Sequence, residues 1–128
     1  MAQTAEALFH KGSQETMPYV PGSAVDAGDL VFFGSGINRL VSVANAAIAA
    51  SADGSVAYTG QYKVKKKASS TFAQGVMVGW DVGVGEAVIA SSVDLDIELG
   101  TCVETAASAD DYVVVAINQA RGWETSGL

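Results

Sequence analysis

Between Leu30 and Ile117 the apolar residues fall in short runs, and glycine-containing turns separate one run from the next. Leu30-Val31-Phe32-Phe33 stops at Gly34-Ser35-Gly36, and a second run, Arg39 to Val43, follows. A short glycine-bearing loop between two β-type runs predicts a hairpin. Ser55 to Thr59 and Tyr62 to Lys67, on either side of Gly60, predict two further strands. Val76 to Trp80, Ala87 to Ala90, Leu99 to Glu104 and Tyr112 to Asn118 read the same way. The last is almost continuously apolar, which predicts a central strand buried on both faces. Ala44 to Ser51 is ambiguous, because alanine favours helix but the segment is short and poorly capped. Short strands at fairly regular spacing predict a mainly β fold, a small barrel or sandwich.

The first 22 residues have another character. Ala5, Leu8 and Phe9 have helical spacing, and Pro18 and Pro21 then hold the backbone extended or turning. Fully extended, such a segment reaches about 70 Å at ~3.3 Å per residue. The chain therefore divides into an N-terminal arm (1–22), a β-rich body (23–119) and a C-terminal tail (120–128). Removal of residues 1–20 is expected to leave the body folded.

Composition narrows the function. A chain of 128 residues fits one domain. Its 14 acidic and 7 basic side chains give a net charge of −7, which argues against nucleic acid as a partner, since phosphate binding needs clustered cations. The single cysteine, Cys102, has no partner for an intrachain disulfide and sits in a strand-like run, as a small buried residue would. Met1 is followed by small and polar residues, so no secretory leader is expected, and no apolar run is long enough for a membrane helix.

Candidate chemistry is sparse. The GxG at Gly34-Ser35-Gly36 precedes a strand-like run, whereas a dinucleotide site needs a third glycine and a helix. Asp94, Asp96 and Glu98 alternate, but a calcium loop would need more oxygens on a turning backbone. The only histidine, His10, lies far along the chain from Cys102, and no Ser-His-Asp, HExxH or P-loop set occurs. The expectation is a chain without catalytic residues, cofactor or metal. Two sets of residues suggest contact with another polypeptide instead. Leu8, Phe9, Met17, Tyr19 and Val20 are apolar residues on a polar arm. Lys63, Lys65 and Lys67 would share one face of a strand, either protecting an exposed sheet edge or docking on an acidic partner.

A series of motifs runs in order over residues 25–119: Ala27-Gly28-Asp29 with Val31 and Gly34; Gly60-Gln61-Tyr62-Lys63-Val64-Lys65; Phe72-Ala73-Gln74-Gly75 with Val78, Trp80 and Asp81; Gly100-Thr101-Cys102-Val103-Glu104; and Asp111 through Asn118. This order resembles the phage capsid cement, or head decoration, proteins, which are similar in role to lambda-type decoration proteins. The resemblance implies a small-barrel or β-tulip-like fold and a non-enzymatic virion protein without cofactor. It implies binding to the major capsid protein on the outer face of a tailed-phage shell, as a homotrimer that stabilises the expanded head, after synthesis in the host bacterial cytoplasm. A reading from a different class is a stand-alone β-barrel module that binds a glycan or peptide. That module would need a concave aromatic surface, and Phe32, Phe33, Tyr58, Tyr62, Phe72, Trp80 and Tyr112 are scattered.

Overall fold

The computed structural model describes Gln3 and residues 5–119; the tail 120–128 lies outside the described residues. The described residues form strands and no helix: β1 (Ala7–Lys11), β2 (Thr16–Tyr19), β3 (Leu30–Phe33), β4 (Leu40–Val43), β5 (Gly54–Ala57), β6 (Gln61–Lys65), β7 (Met77–Asp81), β8 (Glu86–Ile89), β9 (Ile97–Glu104) and β10 (Tyr112–Ile117). They build two antiparallel sheets. The larger has the order β1-β6-β10-β9-β7-β8 and the smaller β2-β5-β4-β3. Just past β6, Lys66 bridges Ala87 of β8, and the Lys67 N–H donates to the Ala87 carbonyl at 2.9 Å. The larger sheet thus curls toward closure, but no continuous ladder joins its edges and the barrel stays open.

The core lies between the sheets. Leu30, Val41, Val43 and Ala57 of the smaller sheet meet Tyr62, Val64, Val78, Trp80, Leu99 and Val115 of the larger. Each large side chain buried this way contributes roughly 1.5–3 kcal/mol. As expected, β10 is central, between β6 and β9, and Val113, Val114 and Val115 are all buried. The β3–β4 hairpin also forms, with Leu30 opposite Val43 and Phe33 opposite Leu40.

A second, smaller cluster covers the outer face of the smaller sheet: Val31, Ala44, Ile48 and Val56. It decides the ambiguous segment after Val43. Ile48 pairs with Val25 in an isolated bridge, and its side chain lies on Gly54, where a Cβ would meet three Ile48 carbons at 2.7–2.8 Å. That seat holds the segment as a covering loop, not a helix.

The arm expected over residues 1–22 is not separate from the body. Ala7 pairs with Val64 of β6 and is buried, and Thr16 to Tyr19 pair with Ala57 to Gly54 of β5. One N-terminal strand extends each sheet, and the helical spacing of Ala5, Leu8 and Phe9 gives way to strand pairing. Deleting residues 1–20 would remove both strands and open the core at Ala7, so the truncated chain is not an intact body.

Candidate functional site

The arm residues singled out in the sequence fall on two surfaces. On β1, Phe9 stands opposite Tyr62 and Leu8 opposite Lys63, so the two point to different faces. The Phe9 ring meets Tyr62 edge-on at 5.7 Å, yet Phe9 and Leu8 remain 44% and 46% exposed. On β2, Met17 and Tyr19 pack on the cluster around Val56 and Ile48, and the Tyr19 ring meets Phe33 edge-on at 5.4 Å. Val20, one residue beyond, is 55% exposed. Ile37 and Leu40 of the β3–β4 hairpin are also exposed. Of the five arm residues, Leu8, Phe9 and Val20 present free apolar surface, while Met17 and Tyr19 are partly occupied within their own chain.

The lysines do not occupy an edge strand. β6 is paired on one side by β1 and on the other by β10. Lys63 and Lys65 share its outward face and are half-buried. The Lys63 ammonium lies 4.9 Å from the Tyr112 ring centroid, a cation–π contact worth about 0.5–1 kcal/mol at an exposed site. Lys67 falls after the strand, and its ammonium is 3.7 Å from the Asp94 carboxylate. Lys66 is withdrawn altogether. It is 5% exposed, and its ammonium donates to the carbonyls of Ser70 (2.6 Å), Lys67 (3.3 Å) and Ser108 (3.4 Å). The strand alternation expected for three lysines therefore holds for two.

Across the same sheet, His10 Nε2 lies 3.0 Å from Glu104 Oε2, and Lys11 Nζ lies 4.0 Å from that oxygen. β1 and β9 are separated by β6 and β10, so these side chains span two intervening strands. Asp94 and Asp96 precede β9 and only Glu98 lies in it. Asp96 accepts the Val82 N–H at 2.9 Å, so it braces the β7–β8 turn. Among the described residues no group of three or more metal-ligating side chains comes together. Burial raises the Cys102 thiol pKa; a Glu104 main-chain hydrogen bond opposes this and the Glu104 charge adds to it. A buried thiol held protonated is a poor nucleophile. Tyr62, Phe72 and Trp80 are buried in the core, so they offer no stacking platform for a sugar.

The roles of two side chains escaped the sequence reading. The Glu6 carboxylate accepts the Leu30 N–H at 2.9 Å, fastening the start of β1 to β3. Asn118 fastens the end of β10 to β4. An acid or amide flanking a strand marks neither role in advance.

What this arrangement offers is apolar surface on the N-terminal strand of each sheet, one of them beside lysines, on a body tied together by main-chain and side-chain bonds. No curated protein and no solved structure matches the chain. The family model described as phage cement protein matches residues 10–117, from the end of β1 through the last residue of β10. The chain belongs to the phage cement protein family and is a structural, capsid-associated component of a bacteriophage virion.

Proposed function

We propose that this protein binds the outer surface of a tailed-phage shell and stabilises the shell after expansion, acting as a homotrimer on the major capsid protein. The observation that carries the reading is the exposure of Leu8, Phe9 and Val20 on or next to strands that are themselves paired into the body. An apolar side chain held rigidly at a surface loses little freedom on docking, which favours it as an anchor. Lys63 and Lys65 supply charge for acidic groups on the shell; Lys67, beside Asp94, contributes less. Three linked copies would raise the effective concentration of each contact and slow release. The net charge of −7 on an outward-facing protein keeps decorated heads from sticking to one another.

The test is co-sedimentation of the purified chain with expanded shells of its phage, followed by heating. Saturable binding in multiples of three, with shells that open at a higher temperature, is the expected result. Shells that bind none of the protein, or bind it and open at the same temperature, would overturn the reading. Replacing Leu8, Phe9 and Val20 together by serine should weaken binding at least ~100-fold if each anchor is worth about 1 kcal/mol or more.

A further inference from the structure

A ring of three identical chains repeats one contact three times, and that contact joins two different patches, because only a two-fold axis sets a patch against its own copy. A trimer of this protein therefore needs two unlike surfaces on every chain. Each copy carries a net charge of −7, so copies repel unless a cation of one meets carboxylates of the next. Two surfaces outside the shell contacts meet both conditions.

The first is the β3–β4 hairpin. Phe33 stands opposite Leu40 and the Tyr19 ring meets Phe33 edge-on, so the three form one apolar row on the outer face of the smaller sheet. Leu40 is 39% exposed, and Ile37, near the tip, is 42% exposed. Between them lies Arg39, which forms no ion pair among the described residues. Its Nε donates to the Gly36 carbonyl at 2.8 Å, and the Ile37 carbonyl accepts the Glu98 N–H at 2.8 Å. The hairpin is thus tied within itself and to β9. The second surface is the β7–β8 turn. Val82 and Val84 are 52% and 65% exposed. The Val82 N–H donates to Asp96 Oδ2 at 2.9 Å, the Val84 N–H to Asp81 Oδ1 at 3.3 Å and the Gly85 N–H to the Asp81 carbonyl at 2.8 Å. Glu86 opens β8 opposite Asp81, and Asp96 is exposed beside the turn. Neither Glu86 nor Asp96 forms an ion pair among the described residues. The turn therefore matches the hairpin in apolar character and opposes it in charge.

We propose that the β3–β4 hairpin of one copy docks on the β7–β8 turn of the next. Ile37 and Leu40 meet Val82 and Val84, and Arg39 turns toward Glu86 and Asp96. The inference rests on the trimer reading and names its contact. Both surfaces are held by hydrogen bonds before they meet, so little chain freedom is lost on docking. The buried apolar side chains supply affinity, and the charges fix which patch meets which. The pairing leaves Leu8, Phe9, Lys63 and Lys65 for the shell, so ring closure and shell binding use different residues.

The deciding experiment places cysteines at the two surfaces, Leu40→Cys and Val84→Cys, and treats decorated shells with a short bismaleimide, with stoichiometry read separately by co-sedimentation. The native Cys102 is buried and out of the reagent's reach. A chain carrying both replacements should give covalently linked trimers, while chains carrying either one alone should stay single. Linked dimers without trimers, or linkage in a single variant, would assign the surface to a two-fold contact and overturn the proposal. Binding in threes with no linkage between chains overturns this contact and leaves the trimer reading standing. Binding that is not in threes overturns both. Charge exchange gives a second measurement. Arg39→Glu should weaken binding in threes at least ~10-fold, the low end for a close interfacial charge pair, and adding Glu86→Arg to the same chain should regain part of the loss. No regain overturns the pairing of these charges. Should the double-cysteine chain misfold, the charge exchange decides alone.

Discussion

The Asn118 side chain does for Val41 what a residue on a neighbouring strand would do. Its Oδ1 accepts the Val41 N–H at 2.8 Å, and its Nδ2 donates to the Val41 carbonyl at 2.8 Å. The same Nδ2 donates to the Tyr58 carbonyl at 2.6 Å. Asn118 stands one residue beyond β10 in the larger sheet, whereas Val41 lies in β4 of the smaller. One side chain thus joins the sheets at the end of the core. Its backbone is left-handed, φ 62°, a conformation asparagine accepts more readily than most residues.

Replacing Asn118 should therefore be costly in an ordered way. Asn118→Ala loses three hydrogen bonds and strains the backbone, so a loss of about 2–4 kcal/mol is expected in urea unfolding. Asn118→Gly relieves the strain and should lie above alanine. Asn118→Asp keeps the size but turns a carboxylate toward the Val41 and Tyr58 carbonyls, and at neutral pH should fall below alanine. An aspartate variant as stable as the wild type would show that the amide donor is idle.

The contrast between β10 and β1 shows what can be read along the chain. Tyr112 to Ile117 declares itself locally, because an unbroken apolar run has no face left for water. The β3–β4 hairpin is equally local, with its glycines and its two strands adjacent. Ala7 to Lys11 carries no such mark, and it is a strand because Val64 to Gln61 lie beside it. That pairing depends on residues fifty or more positions away, which periodicity does not reach. The lysine segment fails for the same reason. Lys63, Lys65 and Lys67 alternate as on an edge strand, but the sheet order makes β6 interior, and one of the carbonyls that draw Lys66 inward, Ser108, comes from a distant loop. The apolar arm residues could be named from sequence; that Leu8 and Phe9 would stand on opposite faces of a paired strand could not.

Lys66 gives a direct test of that inward turn. Among the described residues its ammonium neutralises no carboxylate; it gathers the Lys67, Ser70 and Ser108 carbonyls of two loops. Lys66→Met preserves most of the volume of the stem but leaves the buried carbonyls without a donor, which costs about 1–3 kcal/mol or more. Lys63→Met, on the surface, should stay within ~0.5 kcal/mol of wild type. Urea midpoints of the two variants, measured side by side, check the prediction. Equal midpoints would mean that Lys66 is solvated.

Glu6 predicts a pH dependence. Burial raises its carboxyl pKa above the ordinary glutamate value; the Leu30 N–H opposes the rise, nearby Asp29 adds to it and Lys65 opposes it. A folded-state pKa above the unfolded one means that the native protein holds the proton to higher pH. The associated stability is present in full below the unfolded value and is lost as pH rises through the folded one. In the window just above the ordinary glutamate range, wild type should lose stability relative to Glu6→Gln, whose amide oxygen can still accept from Leu30. Parallel melting curves of the two proteins across that window would remove Glu6 as the titrating group.

Gly79 and Gly100 show how the same added methyl group meets two different fates. At Gly79 a Cβ would fall on Leu95 Cδ1, the end of a flexible side chain from the loop before β9. At Gly100 it would fall on the Ala116 carbonyl oxygen, with Ala116 C at 2.9 Å and Ile117 Cα at 3.0 Å, all main chain of the paired strand. A side chain can swing away, but a central ladder cannot. Gly79→Ala should cost about 1–3 kcal/mol by overpacking. Adding Leu95→Ala should recover part of that loss, a coupling a double-mutant cycle detects as ~0.5 kcal/mol or more. Gly100→Ala should cost about 4 kcal/mol or abolish folding, and no side-chain truncation nearby should rescue it, because the obstacle is β10 itself. Recovery of Gly100→Ala by a second-site truncation, or no coupling between Gly79 and Leu95, would mean that the register of β9 against its neighbours differs from the one described.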